Sequence, residues 1–133
     1  MSGKKMKLLI VDDEKDICRF VKLLFRKKGF LVYSALSGKQ ALRIVKKIKP
    51  DIALLDIHFK KDLDGIEVLS RIREFMPDCR CVMVTWDKAQ AKMKEAKALG
   101  AVSYLTKPLT TNQLLKVVNR VVKSVEREAK ING

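Results

Sequence analysis

Five short apolar runs, each followed by a stretch whose apolar residues recur at three- and four-residue spacing, fill most of this chain. That alternation limits the fold more than any other feature. Residues 8–11 form a continuous apolar run ending in Asp12 and Asp13; residues 52–55 form another, ending in Asp56. Such runs read as strands buried on both faces. Residues 30–35, 79–84 and 101–105 complete the strand set, the fourth ending in Thr85 and the fifth just before Lys107 and Pro108. Between them Ile17, Phe20, Val21, Leu24 and Phe25 repeat at helical spacing, as do Ala41, Leu42, Val45 and Ile48 behind a Ser37 N-cap. Ile66, Val68, Leu69 and Ile72 follow, then the narrow stripe Ala89, Met93, Ala96 and Leu99, and last a long amphipathic series from Leu114 to Val125. Gly29, Pro50, Pro77 and Gly100 mark the helix stops. Five βα units with short connections predict an α/β fold, a doubly wound five-stranded parallel sheet with helices on both faces.

Length and charge narrow the setting. The 133 residues suit one domain, 1–133, with a core over about 6–127 and short frayed termini, the C-terminal one beginning at Ala129. No apolar run reaches the ~20 residues of a membrane span. The apolar stretch behind the basic residues 1–7 is too short for a signal peptide, which favours the cytoplasm. Cys18, Cys79 and Cys81 are odd in number and lack a disulfide spacing, so buried reduced thiols are expected. The net charge of +14 admits a nucleic-acid partner, but the lysines and arginines are dispersed and no aromatic ladder accompanies them. Solvated helix faces are the favoured reading.

The polar residues at the strand ends carry the chemistry. In open parallel sheets, ligands lie outside the carboxyl ends of the strands. That rule gathers Asp12, Asp13, Asp56, Thr85 and Lys107 on one edge. Crowded carboxylates repel, and a divalent cation relieves the conflict; an all-oxygen ligand set favours Mg²⁺. Cations and donors around a carboxylate suit an incoming phosphoryl group, which the carboxylate can accept as a nucleophile. Each residue taken alone could equally cap a helix or line a turn; the five together point to a site.

The segments LLIVDDE at residues 8–14, PDIALLDI at 50–57, DG at 64–65, VMVTW at 82–86 and YLTKP at 104–108 occur in one order over nearly the whole chain. In this the chain resembles the response-regulator receiver domains of two-component signalling, in particular the chemotaxis-type single-domain receivers. The resemblance implies a flavodoxin-like (βα)5 fold and a phosphoacceptor rather than an enzyme, with phosphorylation and dephosphorylation only of itself. It implies that Asp56 takes the phosphoryl group and that Asp12, Asp13, Asp56 and the backbone carbonyl of His58 hold Mg²⁺. Thr85 and Lys107 then contact phosphoryl oxygens, Tyr104 is the switch aromatic, and the Lys107–Pro108 peptide is cis. A histidine kinase or phosphotransfer protein would be the donor, and a downstream protein would bind the 88–125 face of a monomer or weak dimer.

Three features depart from the family pattern. Trp86 stands where a small residue is usual and is a candidate steric block at Asp56. The loop 57–64 lacks the usual proline and is one residue longer, with Phe59, Lys60, Lys61 and Asp62 adding charge. The surface is unusually basic. The competing readings are an unswitched receiver-fold interaction module, the receiver part of a longer DNA-binding regulator and a nucleic-acid-associated domain. A metal-dependent phosphatase would need a second acidic residue close after Asp56, and Ile57-His58 does not supply one.

Overall fold

The computed structural model describes residues 5–59 and 62–132. Ten elements alternate without exception: β1 (Lys7–Val11), α1 (Lys15–Lys27), β2 (Leu31–Ala35), α2 (Gly38–Ile48), β3 (Ile52–Leu55), α3 (Gly65–Phe75), β4 (Arg80–Thr85), α4 (Gln90–Ala98), β5 (Ser103–Thr106) and α5 (Thr111–Asn132). The strands form one parallel sheet in the order β2-β1-β3-β4-β5. The chain steps outward from β1 to β2, then returns to place β3 on the other side of β1. The sheet therefore changes direction between β1 and β3, the position where such folds open a crevice.

Side chains alternate across the sheet and divide the interior in two. Leu9, Val11, Ala53, Leu55, Cys81 and Met83 point to one face, where they meet Val45 of α2, Leu69 and Ile72 of α3, and Ala96 of α4. Leu8, Ile10, Ile52, Leu54, Val82 and Val84 point to the other, against Phe25 of α1 and Leu114 and Val118 of α5. Both faces are apolar, which is why the strand runs show no alternation in sequence.

Local signals set most of the boundaries. The Ser37 hydroxyl accepts from Gln40 N at 3.2 Å and starts α2, and the Asp64 carboxylate accepts from Glu67 N at 2.9 Å and starts α3. Gly29 (φ 92°) and Gly100 (φ 101°) take the left-handed turns after α1 and α4.

Several edges differ from the periodicity. Phe30 precedes β2: its N–H returns to Phe25 O, and its ring stacks edge-on against Phe25 at 5.5 Å. Cys79 lies in a turn closed by its N–H on Met76 O, and Ala101 closes α4 on Ala96 O, so β4 and β5 begin later than their apolar runs do. The Ala89–Leu99 stripe fares least well, since only Ala96 of α4 is fully buried. Helix α5 continues to Asn132, through residues of good helix propensity, and Glu128 pairs with Arg80. Met1–Lys4, Lys60, Lys61 and Gly133 lie outside the described residues. No helix among those described is long and apolar enough to cross a membrane.

Candidate functional site

Among the described residues, four polar or charged side chains are buried: Asp12, Asp56, Thr85 and Lys107. Each lies at or just past the carboxyl end of a different strand, on the edge of the β1–β3 crevice. Their convergence comes from the register. Val11 pairs with Leu55, so β1 and β3 end level, while β4 runs two residues past Met83, the partner of Leu55, to end beside β5 with Thr85 opposite Thr106; Asp12, Asp56, Thr85 and Lys107 thus come to one edge.

Lys107 organises the cluster. Its Nζ donates to Asp12 Oδ2 at 2.7 Å, Glu14 Oε2 at 2.7 Å and Asp56 Oδ2 at 3.2 Å. Burial alone would lower its pKa, but the bonds to Asp12 and Glu14 and the Asp12 and Asp56 charges hold it above the ordinary lysine value. The same crowding acts oppositely on Asp12. Burial, helped by the Asp56 charge, pushes its carboxyl up from 3.8 to about 6, against the pull of Lys107 and of Glu14 N. One ammonium does not fully compensate the acids around it.

Asp12, Asp13 and Asp56 each offer a carboxylate oxygen, and the three lie within 4.8 Å of one another. That oxygen-only set fits a hard divalent cation and is poor for zinc or copper. Asp56 Oδ1 also accepts from Ile57 N at 2.7 Å, which fixes the carboxylate plane. The recess above it, about 420 Å³, is lined by Asp13, Glu14, Asp56, His58, Phe59, Thr85 and Trp86. Trp86 is 56% exposed and forms part of this wall. It also borders a second, apolar groove with Phe20, Pro108 and Leu114.

The loop after β4 is tied together by Asp87. Its N–H donates to Thr85 Oγ1 at 3.2 Å, and its carbonyl accepts from the Tyr104 hydroxyl at 2.7 Å. Its carboxylate accepts from Ala89 N at 2.9 Å and lies 2.7 Å from His58 Nε2. Those two contacts, the Ala89 N–H first, hold the Asp87 carboxyl below the usual range. Burial, with the Asp87 and Asp56 charges, pushes the Tyr104 phenol up to about 12. The His58 ring points to Asp87.

The structure brings Asp12, Asp13, Asp56, Thr85 and Lys107 together, lines the recess with His58 and Trp86, and joins Tyr104 to the loop after β4. The Lys107–Pro108 peptide is cis. Glu14 and Asp87 are additions. Glu14 was signalled by its position directly after the Asp12-Asp13 pair; Asp87 had no signal beyond lying two residues past Thr85. The three cysteines are free and buried, and burial pushes the Cys18 thiol up to about 11.

Known proteins share this fold. The family model described as the response regulator receiver domain matches residues 8–119. Sporulation initiation phosphotransferase F of Bacillus subtilis (strain 168) is 34% identical over 114 residues, 86% of this chain and 91% of its own length. The transcriptional regulatory protein ZraR of Klebsiella oxytoca is 36% identical over 114 residues, 86% of this chain, yet this chain spans only 26% of that protein. A CheY-like response regulator receiver domain protein from Methanospirillum hungatei JF-1 has the same fold, with a TM-score of 0.91 at 26% identity, covering 94% of this chain and 99% of that one. On the matched span and the shared fold, this chain belongs to the response-regulator receiver domains of two-component systems.

Proposed function

We propose that the domain is a phosphorylation switch in which Asp56 accepts a phosphoryl group. The observation that carries this reading is the burial of two carboxylates and a lysine with a threonine hydroxyl at one sheet edge. Burying charges costs stability unless they are well paired, and burial holds the Asp12 carboxyl up near 6 in spite of its bond to Lys107. A fold with ample apolar core on both faces has no structural need of them.

Receiver domains are signalling modules that pair with histidine kinases and effector domains. In this chain one Asp56 carboxylate oxygen attacks phosphorus, and the bond from phosphorus to the donor's imidazole nitrogen breaks as the new O–P bond forms. The imidazole leaves with the electron pair and is protonated. Asp12, Asp13, Asp56 and the His58 carbonyl would hold Mg²⁺, which supplies positive charge to the phosphoryl oxygens. Lys107 supplies a second, already charged donor, and Thr85 a hydroxyl able to leave Asp87 N for a phosphoryl oxygen. Because Asp87 also carries the Tyr104 hydroxyl, a shift of Thr85 is transmitted to β5 and α4. The 88–125 face is then the surface a downstream protein reads. Trp86 on the recess wall would slow entry and hydrolysis without preventing either. The reading places the domain in the cytoplasm, consistent with its buried free thiols.

Intact mass after acetyl phosphate and Mg²⁺ tests the proposal. The chain should gain about 80 Da, one phosphoryl group, and Asp56→Ala should gain nothing. Failure of the wild type to label with both small donors and a phosphohistidine donor would make it an unswitched interaction module.

The acidic cluster also predicts a pH dependence. Native Asp12 keeps its proton up to about pH 6, whereas the unfolded chain releases it near 3.8. Between those values the native state binds more protons, so this group's contribution to stability declines as pH rises and levels off above about 6. The displacement corresponds to roughly 3 kcal/mol at most. Mg²⁺ binds the ionised carboxyl, so stabilisation by Mg²⁺ should grow over the same window. Thermal melts from pH 4 to 7.5, with and without Mg²⁺, read both effects; a Mg²⁺ effect independent of pH would contradict the assignment.

A further inference from the structure

The loop between β3 and α3 is fastened to a helix on which no proposed metal ligand lies. Asp62 Oδ1 accepts from Gly38 N at 3.0 Å, and Asp62 Oδ2 accepts from Lys39 N at 2.9 Å. These are the first N–H groups of α2, which have no partner within the helix. Helix α2 has no acidic residue in its own first turn, so a carboxylate from a distant loop supplies the negative charge its N-terminus favours. The backbone follows the side chain. A Cβ built on Gly38 would lie 2.8 Å from Leu63 O, so the loop rests directly on the start of α2.

At its other end the same loop is closed by Gly65 N on Ile57 O, at 2.6 Å. Between these anchors stand His58, whose carbonyl belongs to the proposed Mg²⁺ site, and Phe59, which lines the recess beside Asp56 and packs on the core. The β3 end of the loop is held by that backbone bond, by the His58 ring on Asp87 and by Phe59 on the core. The α2 end is held by a side chain, and that side chain is Asp62.

We infer that Asp62 is a positioning residue for the metal site: by fastening the β3–α3 loop to α2 it fixes the direction of the His58 carbonyl. This rests on the Mg²⁺ reading of the acidic cluster. Groups that orient metal ligands typically change metal affinity 10–100-fold when removed. Because Asp62 acts through the loop backbone, the lower end, about tenfold, is the expected loss for Asp62→Ala.

Trp86 is the only tryptophan of the chain and lines the recess, so its fluorescence reports Mg²⁺ titrations directly. Gln40→Ala is the matched control. It removes a side-chain bond at the same helix end, from Leu36 N to Gln40 Oε1, and leaves the Asp62 contacts in place. Both variants should melt at lower temperature than the wild type, and only Asp62→Ala should weaken Mg²⁺ binding. Asp62→Asn, which keeps one acceptor oxygen, should fall between and serves if the alanine variant does not fold. Wild-type affinity in the Asp62 variants, or equal weakening by Gln40→Ala, overturns the inference. A wild type that does not respond to Mg²⁺ overturns the metal reading itself.

Discussion

Gly65→Ala should unfold the domain or cost it about 4 kcal/mol or more, the range reached by few single substitutions. Gly65 opens α3 directly against the end of β3. A Cβ there would sit 1.8 Å from Asp56 O and 2.7 Å from Ile57 Cα. Neither is the end of a flexible side chain, so relief requires α3 to retreat from the sheet by more than an ångström. That movement would break the bond from Gly65 N to Ile57 O and disturb packing of Val68, Leu69 and Ile72, all fully buried. Overpacking against side chains usually costs 1–3 kcal/mol; collision with a strand backbone exceeds it. Gly29→Ala is the comparison. Gly29 has positive φ but nothing within 4 Å of its would-be Cβ, so only the left-handed backbone is penalised, by about 1–2 kcal/mol. Urea denaturation of the two variants measures the contrast, and equal losses would show that the close approach at Asp56 is not what requires glycine.

Lys107→Met should be the most damaging change within the site itself. The methionine fills a similar volume but leaves Asp12 and Asp56 buried without their shared cation, and removing one partner of a buried pair costs about 3–5 kcal/mol. The loss should depend on pH in a defined direction. Lys107 is held above its ordinary pKa, so its contribution is fully present at neutral pH and is lost only in strong alkali. Its absence lets the Asp12 carboxyl rise further above about 6. Near pH 5 Asp12 is protonated and needs no cation, so the variant should approach the wild type there and fall furthest behind near pH 7.5. Denaturation curves at the two pH values test this. A constant difference would mean that Lys107 stabilises by packing rather than by charge. Phosphoryl uptake from acetyl phosphate should drop in the same variant even where it remains folded.

The parts of the fold that were readable in the sequence share one property: they depend on residues close together in the chain. Buried strands such as Leu8–Val11 and Ile52–Leu55 are continuous apolar runs because helices cover both sides. Asp12, Asp56, Thr85 and Lys107 could be gathered because each stands at or just past the end of its own parallel strand, and all the strands end on one edge. The differences have two sources, bonds that close helix ends and contacts between residues far apart in the chain. Phe30 and Ala101 look like strand residues but are claimed by the helix ends before them. Ala89, Met93 and Leu99 repeat correctly, yet α4 lies over so little sheet that only Ala96 is fully covered. The attachment of Asp62 to α2 spans 24 positions, and the His58–Asp87 contact spans 29; neither leaves a periodic trace.

The thin seating of α4 has a bearing on how a message crosses this molecule. A helix anchored in the interior by one alanine methyl has little to lose by rolling or sliding, whereas α3, holding five buried residues, would have to empty a cavity to move. The free energy released by a modest chemical event is spent where resistance is lowest. Of the two, α4 is the helix less held by the core, and it begins three residues past Asp87, the point where the hydroxyls of Thr85 and Tyr104 are joined.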